Sequence, residues 1–233
     1  MIVLAIDSAM NGCSAALCDA EKGLVLAHED VHVMRGQAEL LVPMVNGVMD
    51  KSGYSYKSVD VVAVTKGPGA FTGMRIAMAT AKSLGLALSI PVIGVCTFQA
   101  VLESYTGNID SYDYIAVVLE TKRPDFYVQV FNAKTKHACS DKMALTAEEF
   151  KDILDLKKGR YLILGDAFDR LNKGGDIPES VTSEVLQMPQ SPMIAFIAAK
   201  MYKEKEADDY SCTPVYIRPP DVSMPKRVQR PLV

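Results

Sequence analysis

No apolar run in this 233-residue chain approaches the ~18 residues needed to cross a bilayer. Nor does the start read as a signal peptide, because Met1 leads straight into a strand-like segment. A cytoplasmic location without membrane attachment is expected. Cysteine is sparse and unpaired in pattern: Cys13, Cys18, Cys96, Cys139 and Cys212 are odd in number and include no CxxC. That argues against a disulfide framework or a thiolate zinc site and fits reduced thiols. There are three histidines. His28 and His32 share a strand face but lie about 13 Å apart in an extended chain, and His137 falls in a polar turn. A GxSxG elbow, an HExxH pair and a Gly-Lys-Ser/Thr ending are all missing, which removes serine-hydrolase, zinc-protease and P-loop readings. Excess positive charge is lacking too. A net charge of −3 does not suit a chain that grips nucleic acid by itself. The tail is a local exception, with Arg218, Lys226, Arg227 and Arg230 against Asp221. It reads as a solvated end, with an RNA or partner contact as the alternative.

What is present is an alternation of strand and helix periods. Residues 1–6, 13–18 and 24–33 read as strands separated by turn residues. The period then changes: Leu40-Leu41, Met44-Val45 and Val48-Met49 recur every four residues, along one helical face. Pro43 inside that pattern should sit early in the helix or kink it. A strand at 59–65, a glycine-rich turn, a helix to residue 88 and a strand at 92–95 complete the first half. The second half echoes it with strands at 114–119, 126–131 and 136–145, a helix opened by a Thr146/Glu149 capping box, a strand at 161–164 and a helix at 192–205. Two similarly ordered halves suggest a duplicated α/β fold, divided at residues 105–110.

Residues 66–75 read KGPGAFTGMR, between an apolar β-branched run and a helix. The glycines reach backbone angles closed to other residues, and Pro68 fixes one angle of the loop. Two readings fit: an anion nest at a helix start, or a tight strand-to-helix turn that binds nothing. The following helix carries Gly73, Ala77, Ala81 and Gly85 every four residues. This small-residue stripe admits close approach either of another helix or of the lobe's own sheet. Met44, Met49, Met74 and Met78 add adaptable apolar contact.

The string Gly67-Pro68-Gly69-Ala70-Phe71-Thr72-Gly73-Met74-Arg75-Ile76 resembles the GPGSFTGLRIG signature of the TsaB (YeaZ) family. Three further segments resemble that family in order: Leu4-Ala5-Ile6-Asp7-Ser8 with Cys13-Ser14-Ala15-Ala16-Leu17, then Pro91-Val92-Ile93-Gly94-Val95, then Pro214-Val215-Tyr216-Ile217-Arg218. Similarity is dense over residues 1–105 and thin beyond. The resemblance implies two ribonuclease-H-like lobes in tandem, the actin, hexokinase and Hsp70 architecture. It implies residues 1–105 as a first lobe, 106–213 as a smaller second lobe, and a tail at 214–233 returning to the first. Gly67, Pro68, Gly69, Phe71, Thr72, Gly73 and Arg75 would form the structural turn.

The implied role is a non-catalytic subunit for threonylcarbamoyladenosine formation in tRNA. It would activate and scaffold the catalytic TsaD subunit, recruit the ATPase TsaE, and meet tRNA indirectly through the complex. The expected partner surface is two helices, residues 37–51 and 73–88, through Leu41, Met44, Val48, Gly73, Ala77, Met78 and Ala81, with a homodimer when alone. Departures from the pattern weaken any chemistry of its own. Asp7 ends the first strand where active members of this fold place a metal–phosphate carboxylate, but Ala9 replaces the glycine that lets phosphate approach. Asp7 therefore reads as a structural cap ahead of a nucleotide ligand. Glu120 stands at the equivalent strand end, where an Asp is usual, and Gln37 replaces a family histidine. Thr97 and Val101 occupy the places of the two histidines in TsaD's metal motif, so no metal is expected. No cofactor is expected either, with ATP or ADP admitted only at a subunit junction. An independent ATPase or small-molecule kinase is the alternative, and a metallopeptidase a weaker one.

Overall fold

The computed structural model describes residues 1–156, 158–173, 177–178, 180–204 and 212–218. The first sheet has the order β3-β2-β1-β4-β5 and is built from β1 (Ile2–Asp7), β2 (Gly12–Asp19), β3 (Leu24–His32), β4 (Val61–Thr65) and β5 (Val92–Val95). The hairpin strands pair antiparallel, while β4 lies parallel to both β1 and β5. The second sheet repeats this as β10-β9-β6-β7-β8, from β6 (Tyr114–Glu120), β7 (Phe126–Asn132), β8 (Met143–Leu145), β9 (Tyr161–Gly165) and β10 (Val181–Val185). Its pattern of parallel and antiparallel pairs is the same. The fold is α/β, with two ribonuclease-H-like lobes in tandem.

The apolar runs of β1 and β4 reflect burial on both faces. Leu4, Ile6, Val62 and Val64 turn toward helices α1 (Gln37–Ser52) and α2 (Phe71–Leu88). The alternate residues Val3, Ala5, Val61 and Ala63 meet α6 (Ser191–Glu204). In the second sheet, Ile115, Val117 and Leu162 pack with Phe98, Val101 and Leu102 of α3 (Thr97–Ser104). The opposite face meets Phe150 and Leu154 of α4 (Ala147–Leu156). The halves thus exchange a helix. The helix that follows the first sheet covers the second, and the last helix covers the first. A division at residues 105–110 separates the sheets but not the helices that cover them.

Thr146 and Glu149 form the expected capping box. The Glu149 N–H donates to the Thr146 hydroxyl at 3.3 Å, and the Thr146 N–H donates to the Glu149 carboxylate at 2.8 Å. Pro43 stands in the second turn of α1, and it is exposed. The strand expected at 136–145 shrinks to β8 and one bridge between Phe131 and Ala138. Both β10 and the short helix α5 (Phe168–Leu171) are additions to the sequence reading. Lys205, the last residue of the expected final helix, lies outside the described residues.

The small-residue stripe packs inward. Gly73, Ala77, Ala81 and Gly85 are all buried, and a Cβ on Gly85 would fall 2.3 Å from the Val92 side chain. Leu41, Met44, Val48, Ala77, Met78 and Ala81 belong to the core beneath α1 and α2. The seven residues expected to contact a partner therefore face the protein's own interior. The four-residue period marks one helical face without saying which surface it meets. Ala81→Arg would bury an unpaired guanidinium against β-strands, and a loss of more than about 4 kcal/mol is expected. Far-UV circular dichroism and gel filtration of the variant should show an unfolded or aggregated chain. A folded variant would mean that α2 can lift from the sheet.

Candidate functional site in the cleft between the lobes

Strands β1 and β6, one from each sheet, end at a cleft of about 870 Å³ between the two lobes. The first wall is built by backbone contact. Ser8 and Ala9 follow β1, and the glycine turn closes over them. The Ala70 N–H donates to the Ala9 carbonyl at 2.7 Å, and the Ser8 hydroxyl donates to the Gly73 carbonyl at 2.6 Å. A Cβ at Gly69 would sit 2.2 Å from the Ala9 carbonyl oxygen, and one at Gly73 only 1.9 Å from that of Ser8. Gly67 takes φ +102°, in the region that favours glycine. These glycines serve the approach of one loop to another.

Asp7 lies beneath this closure, fully buried. Parallel pairing of Ile6 with Val64 places Asp7 beside Thr65, whose hydroxyl donates to Oδ1. The Ala9 N–H reaches the same oxygen at 3.1 Å. Burial pushes the Asp7 pKa up to about 6, against those two hydrogen bonds.

On the opposite wall Glu120 is held by Arg170. Nε donates to Oε2 and Nη2 to Oε1, each at 2.7 Å, and the Lys122 N–H adds a bond of 2.6 Å. Partial burial acts to raise the Glu120 pKa. The Arg170 pair and the backbone donors outweigh it and hold the carboxyl below its ordinary range. Arg170 also donates to the carbonyls of Arg123 and Asp125 and lies over the Phe126 ring. Asp166, just beyond β9, accepts from the Glu120 N–H at 2.9 Å and from the Asn11 amide across the cleft at 2.8 Å. Burial pushes its pKa up to about 6.

A family model described as TsaD: tRNA N6-adenosine threonylcarbamoyltransferase matches residues 31–209. The tRNA threonylcarbamoyladenosine biosynthesis protein TsaB of Buchnera aphidicola subsp. Baizongia pistaciae is 25% identical over 222 residues, 92% of this chain and 97% of that one. Its namesake from Escherichia coli K12 is 37% identical over 103 residues, 44% and 43% of the two chains. The structure of YeaZ from Pseudomonas aeruginosa superposes with a TM-score of 0.77 at 23% identity, covering 92% of this chain and 99% of that one. The chain belongs to this family, on its TsaB (YeaZ) side.

The three departures from the TsaB pattern, Ala9, Gln37 and Glu120, all border the cleft. Thr97 and Val101 are buried, with the Thr97 N–H on the Gly67 carbonyl at 2.9 Å and Val101 in the second-lobe core. Among the described residues, no group of three or more His, Cys, Asp or Glu side chains is placed to hold a metal ion. His28 sits 3.5 Å from Asp30 on β3. Phe71 and Thr72 are exposed at the cleft, and the Arg75 guanidinium lies 3.8 Å over the Phe71 ring. Lys226, Arg227, Arg230 and Asp221 lie outside the described residues. Sequence reading missed Asp166 and Arg170, although the strand-end argument made for Asp7 and Glu120 applies equally to an Asp directly after Gly165.

Proposed function

We propose that this chain is a non-catalytic subunit required for threonylcarbamoyladenosine formation in tRNA, at the adenine next to the anticodon. The reading rests on family membership and on one observation of the cleft: both strand-end carboxylates are engaged by the protein itself. Asp7 is sealed under the glycine turn, and Glu120 is chelated by Arg170. An independent ATPase or kinase of this fold would need such groups open to metal and phosphate. Accordingly, no cofactor is assigned to the chain, and ATP or ADP would bind only at a subunit junction.

The partner would be TsaD, docked on the outward side of α1 and α2, which lie next to each other. Exposed apolar side chains on these two helices include Leu40, Val42 and Leu86, at 37%, 50% and 84%. TsaE would join the assembly, tRNA would be met through it, and the same face would pair two copies when TsaD is absent. A subunit that binds only the active conformer of TsaD raises that conformer's population without doing chemistry.

Reconstitution with TsaD, assayed for tRNA modification with and without this chain, tests the role. Val42→Arg with Leu86→Arg should leave the melting temperature near wild type, abolish self-association and weaken TsaD binding by about a hundredfold or more. Unchanged binding would move the interface elsewhere. Threonylcarbamoyl transfer by the isolated chain, or tight calorimetric binding of ATP to it, would overturn the non-catalytic reading.

A further inference from the structure

Residues 212–218 run from one lobe to the other. At one end Cys212 is buried in the core under α1 and α2. The Val215 N–H then donates to the Lys66 carbonyl at 2.7 Å, and the Val215 carbonyl passes 2.9 Å from where a Cβ on Gly67 would stand. Tyr216 packs its ring 5.8 Å from that of Phe71 and accepts from Arg75 Nε at 3.3 Å. From there the chain crosses to the second lobe. Ile217 packs against the core around α3 and β6, and Arg218 forms an ion pair with Asp125. The Asp125 side chain is 3% exposed, so this cation neutralises a charge held largely out of water. Asp125 is tied in turn to the cleft wall: Thr121 donates to its carbonyl at 2.6 Å and Arg170 at 2.9 Å. Tyr216 and Arg218 both border the cleft, Arg218 as the anchor on the second lobe.

We propose that residues 212–218 form a staple across the cleft, coupling the glycine turn of the first lobe to the 121–125 loop of the second, so that release at either end loosens the other. A surface ion pair at the end of a passive tail would act only locally. A staple transmits, because the contacts on its two ends share one short backbone. The device is independent of what binds α1 and α2. It implies that a ligand displacing Tyr216 from Phe71 would free the far wall, where Glu120, Arg170 and Asp166 are interlocked.

Amide hydrogen exchange on the full chain tests this from both ends. Arg218→Ala combined with Asp125→Asn cuts the second-lobe end without stranding a buried carboxylate. It should raise exchange at Val215, on the first lobe, by about tenfold or more. Val215→Pro removes the donor at the first-lobe end, and Tyr216→Ala serves at that end if the proline variant does not fold. Either should raise exchange at Lys122 and Arg123 by a similar factor, with Ile6 and Val117 in the sheet centres unchanged. Exchange that rises only at the cut end, or at neither, would overturn the coupling, and so would a uniform rise that includes both sheet centres.

Discussion

Gly73→Ala is expected to destabilise the protein by about 3 kcal/mol, lowering Tm by roughly 6–12 °C, although alanine is the better helix former. Gly73 lies in the first turn of α2 without an unusual φ, so intrinsic propensity alone would favour alanine by ~1 kcal/mol. The sign reverses because the new methyl would stand 1.9 Å from the Ser8 carbonyl oxygen. Backbone on both sides must move, and with it the Ser8 hydroxyl bond to the Gly73 carbonyl and the cover over Asp7. Gly47, inside α1, is the internal control. Its added Cβ would meet only the Glu29 carboxylate, at 2.8 Å, the far end of a partly exposed side chain that pairs with the largely exposed Lys51 and can shift with it. Gly47→Ala should therefore fall between no change and a gain of about 1 kcal/mol. Urea and thermal unfolding of the two variants side by side measure the difference. A tolerated Gly73→Ala would show that the closure over β1 is looser than its contacts require.

Asp7→Asn is expected to stabilise the protein at pH 8 and to cost up to about 1 kcal/mol at and below pH 4. The folded-state pKa of Asp7 is raised to about 6 from an ordinary 3.8, so the native state holds its proton more tightly than the unfolded chain. Stability contributed by this group is full below pH 3.8, falls as pH rises through the interval to about 6, and stays lost above it. The interval corresponds to on the order of 3 kcal/mol. Asparagine keeps an acceptor for Thr65 and Ala9 and removes the charge. Asp7 Oδ2 has no hydrogen-bond partner among the described residues, so the new amide nitrogen gives back about 1 kcal/mol, leaving a net gain of about 2. Unfolding free energy measured from pH 4 to 8 should slope less steeply in the variant. Some slope should persist, because Asp166 is also raised to about 6. Identical pH profiles for the two proteins would mean that Asp7 is ionised without cost.

Much of the architecture was legible because its signals are local. The β-branched runs of β1 and β4, the Thr146 capping box and the glycine turn each act within a few residues, and each stands where expected. β10 escaped because VTSEV is a half-exposed edge strand without an apolar face. The direction of the α2 stripe could not be read, since a sheet and a partner helix ask for the same small residues. The site was legible at the strand ends, where Asp7 and Glu120 sit at the places expected of them. Its closure was not: that Arg170 chelates Glu120 and that Asn11 reaches Asp166 depends on pairs separated by 50 and 155 positions in the chain.

The exchanged helix bears on how the chain is made. By the time β5 leaves the ribosome, one face of the first sheet can meet α1 and α2. Its other face, lined by Val3, Ala5, Val61, Ala63 and Ile93, waits for α6, which begins at Ser191. At about 5–20 residues per second the intervening stretch takes roughly 5–20 s to translate. For that interval a nascent sheet shows an unclothed apolar surface, which is aggregation-prone on crowded polysomes. A first lobe expressed alone would be frozen in that condition.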